Sequence, residues 1–157
     1  MTYDFHHGWD TSTRHNSPLR VGSKDQGDIC SFNCEYAMKP WRDNGVPSEK
    51  LIMGFLTYGR TFWLTGSSGP YTGEDGFWTY YEICTFLSEV TNAWIEDQKV
   101  PYAYKNPEGV GYDNIKSYGY KNLGSFHRTT LSVHLYRILV RRKVVNMEEK
   151  GAVWCSG

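Results

Sequence analysis

Three places in this sequence carry side chains able to act on a ligand. A short extended run ends in Tyr3-Asp4 and is followed by His6, His7, Gly8 and Trp9; Tyr58 and Arg60 stand inside a long apolar and aromatic run; Glu74-Asp75 lies in a Gly/Ser-rich stretch. Tyr, Asp and Arg together offer a hydroxyl, an acceptor and a planar fork of donors, a set suited to hydrogen-bonding a polar ligand. The bland alternative stays open: a Tyr–Asp at a strand end is often a satisfied hydrogen bond, and Arg60 pairs with a local acid. Acid–base chemistry is poorly served. Glu74-Asp75, Glu96-Asp97 and Glu148-Glu149 are adjacent pairs, which point apart on a strand and diverge on a helix. No G-x-S-x-G or H-E-x-x-H pattern occurs. Cys30 and Cys34 are four apart, but Cys84 and Cys155 lack ligands at finger-like spacing, so no metal site is expected. Four cysteines allow three disulfide pairings, and the sequence does not choose among them.

Several elements must position these groups. Residues 1–5 read as a strand, and 6–28 as a long polar loop with Asn16-Ser17-Pro18 and repeated glycines. Residues 29–41 have Ile29, Phe32, Tyr36 and Met38 near helical spacing, with Pro40 expected to end or kink the helix. Residues 51–64 form the strongest strand, nearly continuous in apolar residues as a parallel strand covered on both faces would be. Residues 65–76 read as loop, 77–87 as helix, and 100–104 and 109–112 as short strands, with Asp113 placed to cap a following helix. After residue 121 the pattern changes: 131–145 is β-branched, basic and aperiodic.

Composition narrows the class. Lys plus Arg equal Asp plus Glu at 17 each, which argues against nucleic acid or anionic membrane as the main partner. The balance hides a basic tail: residues 122–157 carry Arg128, Arg137, Arg141, Arg142, Lys143 and Lys150 against Glu148 and Glu149. No apolar stretch approaches the roughly 20 residues of a membrane helix, and no signal peptide is evident in this sequence. The 12 Tyr, 7 Phe and 6 Trp combine flat apolar faces with polar handles, which suits stacking on sugar rings as well as ordinary cores.

A series of segments, in order, resembles the animal chitinases and chitinase-like lectins of glycoside hydrolase family 18: MTYDFH at the start, HNSPL at 15–19, PSEKLIMGF and TYGRTF across 47–62, GPYT at 69–72, GFWTYYEICTFL at 76–87, DQKVPYAYK at 97–105 and VGYDNIKSY at 110–118. Together they cover about residues 1–121. The resemblance implies an α/β fold, part of a (β/α)8 TIM barrel (about strands six and seven) with an α+β insertion domain. A complete barrel of this kind needs about 250 residues. The implied divisions are 1–65 partial barrel, 66–112 insertion domain, and 113–157 the start of a barrel helix followed by an out-of-family tail.

Carried over by motif, Tyr3 and Asp4 match residues that hydrogen-bond the sugar, Trp9 a loop Trp that stacks on it, and Tyr58 and Arg60 a pair that contacts it from the side. Glu74 matches an insertion-domain carboxylate at the cleft wall. Cys84 matches a disulfide cysteine for which Cys155 is only a possible substitute partner. The expected partner is a chitooligosaccharide or related N-acetylglucosamine glycan, with no cofactor, no metal, no nucleic acid and no membrane; a secreted location is implied by the resemblance. The family's D-x-x-D-x-D-x-E motif, whose Glu protonates the leaving oxygen in substrate-assisted hydrolysis, has no counterpart in this sequence. The expectation is glycan binding without hydrolysis. Two alternatives stand beside it: a truncated or aberrantly spliced product without ligand function, and the C-terminal half of an active chitinase. The G-G-A-M-V-W segment expected after residue 121 is absent, and Gly151-Ala152-Val153-Trp154 resembles it only slightly.

Overall fold

A computed structural model describes residues 1–6, 10, 12–62, 69 and 73–124, with side chains through Lys121. Trp9, residues 63–68 and 70–72, and the residues from 125, with Trp154 and Cys155, lie outside the described residues.

A five-stranded sheet organises the chain: β1 (Tyr58–Phe62), β2 (Phe77–Thr79), β3 (Thr91–Ile95), β4 (Val100–Lys105) and β5 (Glu108–Gly111), in the order β2-β1-β5-β4-β3. Every pairing is antiparallel. Helix α2 (Tyr80–Leu87) covers one face of this sheet, and Trp78, Ile83, Ala103, Val110 and Tyr112 form the core there, flanked by Phe86, Leu87 and Val90. Gly59 belongs to this face, where a Cβ would meet Ile83 Cδ1 and Val110 Cγ2 at 2.8 Å. Side chains alternate along a strand. Tyr58, Arg60 and Phe62 therefore take the opposite face, joined through the register by Phe77, Tyr102 and Tyr104.

A second core holds Leu19, Cys34, Met38 and Met53, packed with Phe5, Leu51 and Phe55. It forms where helix α1 (Cys34–Asp43) meets Phe5, Leu19 and residues 51–55. The two parts are joined by hydrogen bonds: His15 Nε2 lies 2.8 Å from the Tyr112 carbonyl, and the Leu19 amide donates to the Gln98 carbonyl at 3.0 Å.

Several expectations need correction. The expected parallel strand is not seen among the described residues of 51–64: of residues 51–62 only Tyr58–Phe62 is a strand, and it is antiparallel. The strand expected at 1–5 is likewise irregular. These two segments do lie side by side, but the Thr2 hydroxyl donating to the Gly54 carbonyl at 2.6 Å joins them through a side chain. A regular strand needs a ladder of backbone bonds. The apolar run in 51–57 thus reports burial of Met53 and Leu56, not strand pairing.

The helix expected at 29–41 splits into a 3-10 turn at Gly27–Ser31 and α1, because Asn33 caps α1 by accepting from the Tyr36 amide at 2.8 Å. Pro40 does not end α1, which runs three residues further to Asp43. Residues 77–79 are strand where helix was expected. Thr79 and Glu82 form a capping box that starts α2 at Tyr80. Finally, Asn114, not Asp113, accepts from the Ser117 amide at 2.9 Å and caps α3 (Ile115–Gly124). Asp113 is buried in an ion pair instead.

Candidate functional site

Strand β1 sets Tyr58 and Arg60 two residues apart on the face away from α2, and the segment 2–5 lays Asp4 over them. The Tyr58 hydroxyl donates to Asp4 Oδ1 at 2.7 Å, and Arg60 reaches the same oxygen through Nη2 at 3.1 Å and Nε at 3.3 Å. Three donors thus converge on one carboxylate oxygen. Asp4 Oδ2 carries no hydrogen bond among the described residues and remains an open acceptor, on a side chain 31 % exposed. The Asp4 backbone sits at φ 60°, in the left-handed region that side-chain-bearing residues seldom adopt. Such strain persists when neighbours over-determine it. Here the Phe5 amide donates to the Asn16 carbonyl at 3.1 Å, and the Thr2 carbonyl accepts from the Ser17 hydroxyl at 2.7 Å.

Aromatic rings wall the cluster. Tyr3 meets Tyr58 edge to face at 6.3 Å, Tyr58 stacks on Phe77 at 4.6 Å, and the Arg60 guanidinium lies 5.7 Å from both the Tyr58 and Phe77 ring centres. Gly54 makes room for Tyr3, since a Cβ there would stand 2.6 Å from Tyr3 Cε1. Burial, then the hydrogen bond to Asp4 and its charge, push the Tyr58 phenol well above its ordinary range, with Arg60 opposing. Tyr58 is therefore a hydrogen-bond donor at any physiological pH.

Four of the six expected site residues, Tyr3, Asp4, Tyr58 and Arg60, come together. Glu74 is exposed just before β2, where its backbone carbonyl accepts from the amides of Gly69 and Phe77. Trp9 lies outside the described residues. Two members of the cluster were not singled out from sequence. Phe77 read as helix, which hid its cross-strand place opposite Arg60. Asn16 is fully buried beside this cluster; its amide reaches toward the Tyr58 hydroxyl, yet neither polar atom completes a hydrogen bond of good geometry. The signal for Asn16 was an amide inside the HNSPL segment, indistinguishable there from a turn residue.

A second set of polar groups is buried behind the site. His15 accepts from the Ser17 amide through Nδ1 at 3.0 Å, which places its proton on Nε2 facing the Tyr112 carbonyl. Burial holds this imidazole down at about 4, against the pull of Asp113. Cys84 is disulfide-bonded, whereas Cys30 and Cys34 are free thiols, and burial pushes the Cys34 thiol up. Among the described residues no His, Cys, Asp and Glu groups cluster as a metal site would require.

The family model for glycosyl hydrolases family 18 matches residues 1–128, so the chain belongs to that family. It is similar to the oviduct-specific glycoprotein of Ovis aries, 47 % identical over 135 residues that cover 77 % of this chain and 24 % of the relative. It is also similar to chitinase-3-like protein 2 of Homo sapiens, 42 % identical over 132 residues covering 74 % of this chain and 34 % of the relative. Among solved structures, it matches one described as human YKL-39, a pseudo-chitinase with retained chitooligosaccharide binding properties, at a TM-score of 0.70 and 42 % identity over 74 % of this chain and 36 % of that one. The chain thus spans a quarter to about a third of the length of these relatives. Its fold neighbours are chitinase-like proteins, and no helix among the described residues is long and apolar enough to cross a membrane.

Proposed function

We propose that this chain contributes one wall of a chitooligosaccharide-binding cleft and binds N-acetylglucosamine glycans without hydrolysing them. The observation that carries the reading is the convergence of Tyr58 and Arg60 on one oxygen of Asp4, which leaves the other oxygen open and the aromatic rings of Tyr3, Tyr58 and Phe77 around it. A carboxylate fixed on one side accepts a ligand N–H or O–H on the other, and flat rings take the apolar face of a sugar. Trp9 and Glu74 extend this wall in the same reading. Hydrolysis needs an acid able to protonate the glycosidic oxygen, and the sequence holds no D-x-x-D-x-D-x-E arrangement to supply one. The partial-barrel and insertion-domain divisions at 65 and 112 belong to the same proposal.

The test is isothermal titration of the chain with the N-acetylglucosamine tetrasaccharide, alongside Asp4→Ala and Arg60→Ala. Saturable heat that weakens about tenfold in each variant supports the reading, as loss of a charged hydrogen bond should. Equal binding in all three, or none in the parent chain, overturns it. A fluorogenic chitobioside left intact by the chain supports the absence of hydrolysis, and its cleavage refutes it.

A further inference from the structure

A cavity of about 800 Å³ opens on the same sheet face as Arg60 but does not include Asp4, Tyr58 or Arg60 in its lining. That volume lies within the range of small-molecule sites. Its floor is β5, where Gly109 and Gly111 stand between Phe62 on β1 and Tyr102 and Tyr104 on β4. The missing side chains make the trough. A Cβ at Gly109 would have no neighbour closer than 3.8 Å, so the space above it is open, whereas one at Gly111 would touch His15 Cδ2 at 3.2 Å, which closes that end. The rings of Tyr102 and Tyr104 stack at 5.9 Å with an 18° tilt, and each keeps exposed surface, 37 % and 47 %.

The opposite wall is polar and tied in place. Asp25 accepts from Arg14 Nη1 at 2.6 Å, from the Gly22 amide at 2.7 Å and from Gln98 Nε2 at 3.2 Å. Asp97 accepts from the amides of Ser23 at 2.6 Å and Gln98 at 3.0 Å. Carboxylates outnumber cations in the lining, with Asp25, Asp97 and Glu108 against Arg14 and Lys24. That excess disfavours phosphate, sulfate and uronate ligands. Aromatic faces on one side with fixed acceptors on the other instead suit a neutral polyhydroxylated ring.

We infer that the trough between Tyr102–Tyr104 and Asp25–Asp97 is a second binding site, for a neutral glycan, separate from the Asp4 cluster. It stands or falls independently of the proposed function. The experiment is a nitrogen-15 amide titration of the whole chain with the neutral N-acetylglucosamine tetrasaccharide, and in parallel with a sulfated disaccharide. The amides of Gly109 and Gly111 report the trough, and those of Asp4 and Tyr58 report the other cluster.

Saturable shifts at Gly109 and Gly111 are expected with the neutral sugar, and they should survive Asp4→Ala. They should weaken at least tenfold in the double variant Tyr102→Ala/Tyr104→Ala. Because that pair also packs the strand, Gly109→Val provides a second variant: it fills open space at an ordinary backbone conformation, keeps the melt unchanged, and should remove the Gly111 shift. The inference is overturned if the glycine amides do not move. It fails equally if the Gly111 amide still moves in Gly109→Val, if Asp4→Ala abolishes the response of the two glycine amides, or if the sulfated sugar shifts them more strongly.

Discussion

Lys121 Nζ meets Asp113 Oδ2 at 2.5 Å with both side chains wholly buried, and this pair reaches the candidate site through two further bonds. Lys121 also donates to Ser17 Oγ at 2.8 Å, and that hydroxyl donates to the Thr2 carbonyl, two residues before Asp4. Ser117 Oγ donates to the second oxygen of Asp113 at 2.8 Å, and the Cys34 thiol adds a contact to the Thr2 carbonyl at 3.3 Å. Helix α3 is thereby linked to the strained turn that aims Asp4 at Tyr58 and Arg60. The site is held from behind as much as from within.

Removing one partner of this pair should cost far more than removing both. Lys121→Ala leaves a buried carboxylate without its counter-charge, an effect on the order of 3–5 kcal/mol. The double variant Lys121→Met/Asp113→Leu replaces the pair with apolar groups and should be less destabilised than Lys121→Ala. Urea unfolding of the parent and the two variants checks the ordering; a double variant at least as unstable as Lys121→Ala refutes the argument.

Stability should fall as the solution is acidified below the ordinary histidine range. His15 is held at about 4 by burial, whereas in the unfolded chain it takes up a proton near 6.5. A folded-state value below the unfolded one means the contribution is fully present above pH 6.5 and is lost progressively down to about pH 4. At about 1.4 kcal/mol per pH unit, the loss is on the order of 2 kcal/mol between pH 6.5 and 5, before most carboxylates titrate. His6 is also held down by burial, with Asp10 opposing, and adds a loss of the same sign. Urea midpoints across that interval should show a steep slope for the parent and a shallower one for His15→Asn.

Gly54 and Gly59 lie five residues apart and should respond differently to alanine. At Gly54 the three atoms nearest the new Cβ all belong to the Tyr3 ring, a side chain that can swing away, so Gly54→Ala should disturb sugar binding more than stability. At Gly59 it meets Ile83, Val110 and the Gly111 carbonyl at once, two packed core side chains and a backbone atom. Overpacking of that kind costs roughly 1–3 kcal/mol. Thermal melts and sugar titrations of both variants separate the two effects; a greater stability loss for Gly54→Ala would contradict this packing.

The family and the four residues that come together in the candidate site were legible because they rest on local motifs: Tyr3-Asp4 and Tyr58-x-Arg60 read directly from short segments. What escaped depends on pairing at long range. An apolar run such as 51–57 looks alike whether it is laddered or only buried, and here the contact passes through the Thr2 hydroxyl. Strand β3 was hidden because Thr91 and Asn92 are exposed and weaken its alternation, while its ladder to β4 is set by partners five to thirteen positions away. Asp113 and Asn114 are both capping residues, and only the burial of Lys121 beside Asp113 decides which one caps. The trough at Gly109 and Gly111 is likewise invisible locally, since it exists only when β1 and β4 flank β5.

The hydroxyl of Tyr58 gives a direct spectroscopic check on the site. Burial first, then Asp4 as hydrogen-bond acceptor and as charge, raise this phenol above its ordinary value near 10. A group whose folded value is raised contributes stability that is complete below pH 10 and is lost as alkali ionises it. In an ultraviolet difference titration, exposed tyrosines should ionise first while Tyr58 stays protonated until the chain unfolds. Asp4→Ala removes two of the three raising influences and leaves Arg60 opposing, so Tyr58 should then ionise earlier, within the folded state. Tyr58→Phe should shrink the late component to that of Tyr112, which burial raises to about 12, and weaken sugar binding about tenfold, since a hydrogen bond to a charged group is lost. A late component undiminished in Tyr58→Phe would overturn the assignment to Tyr58.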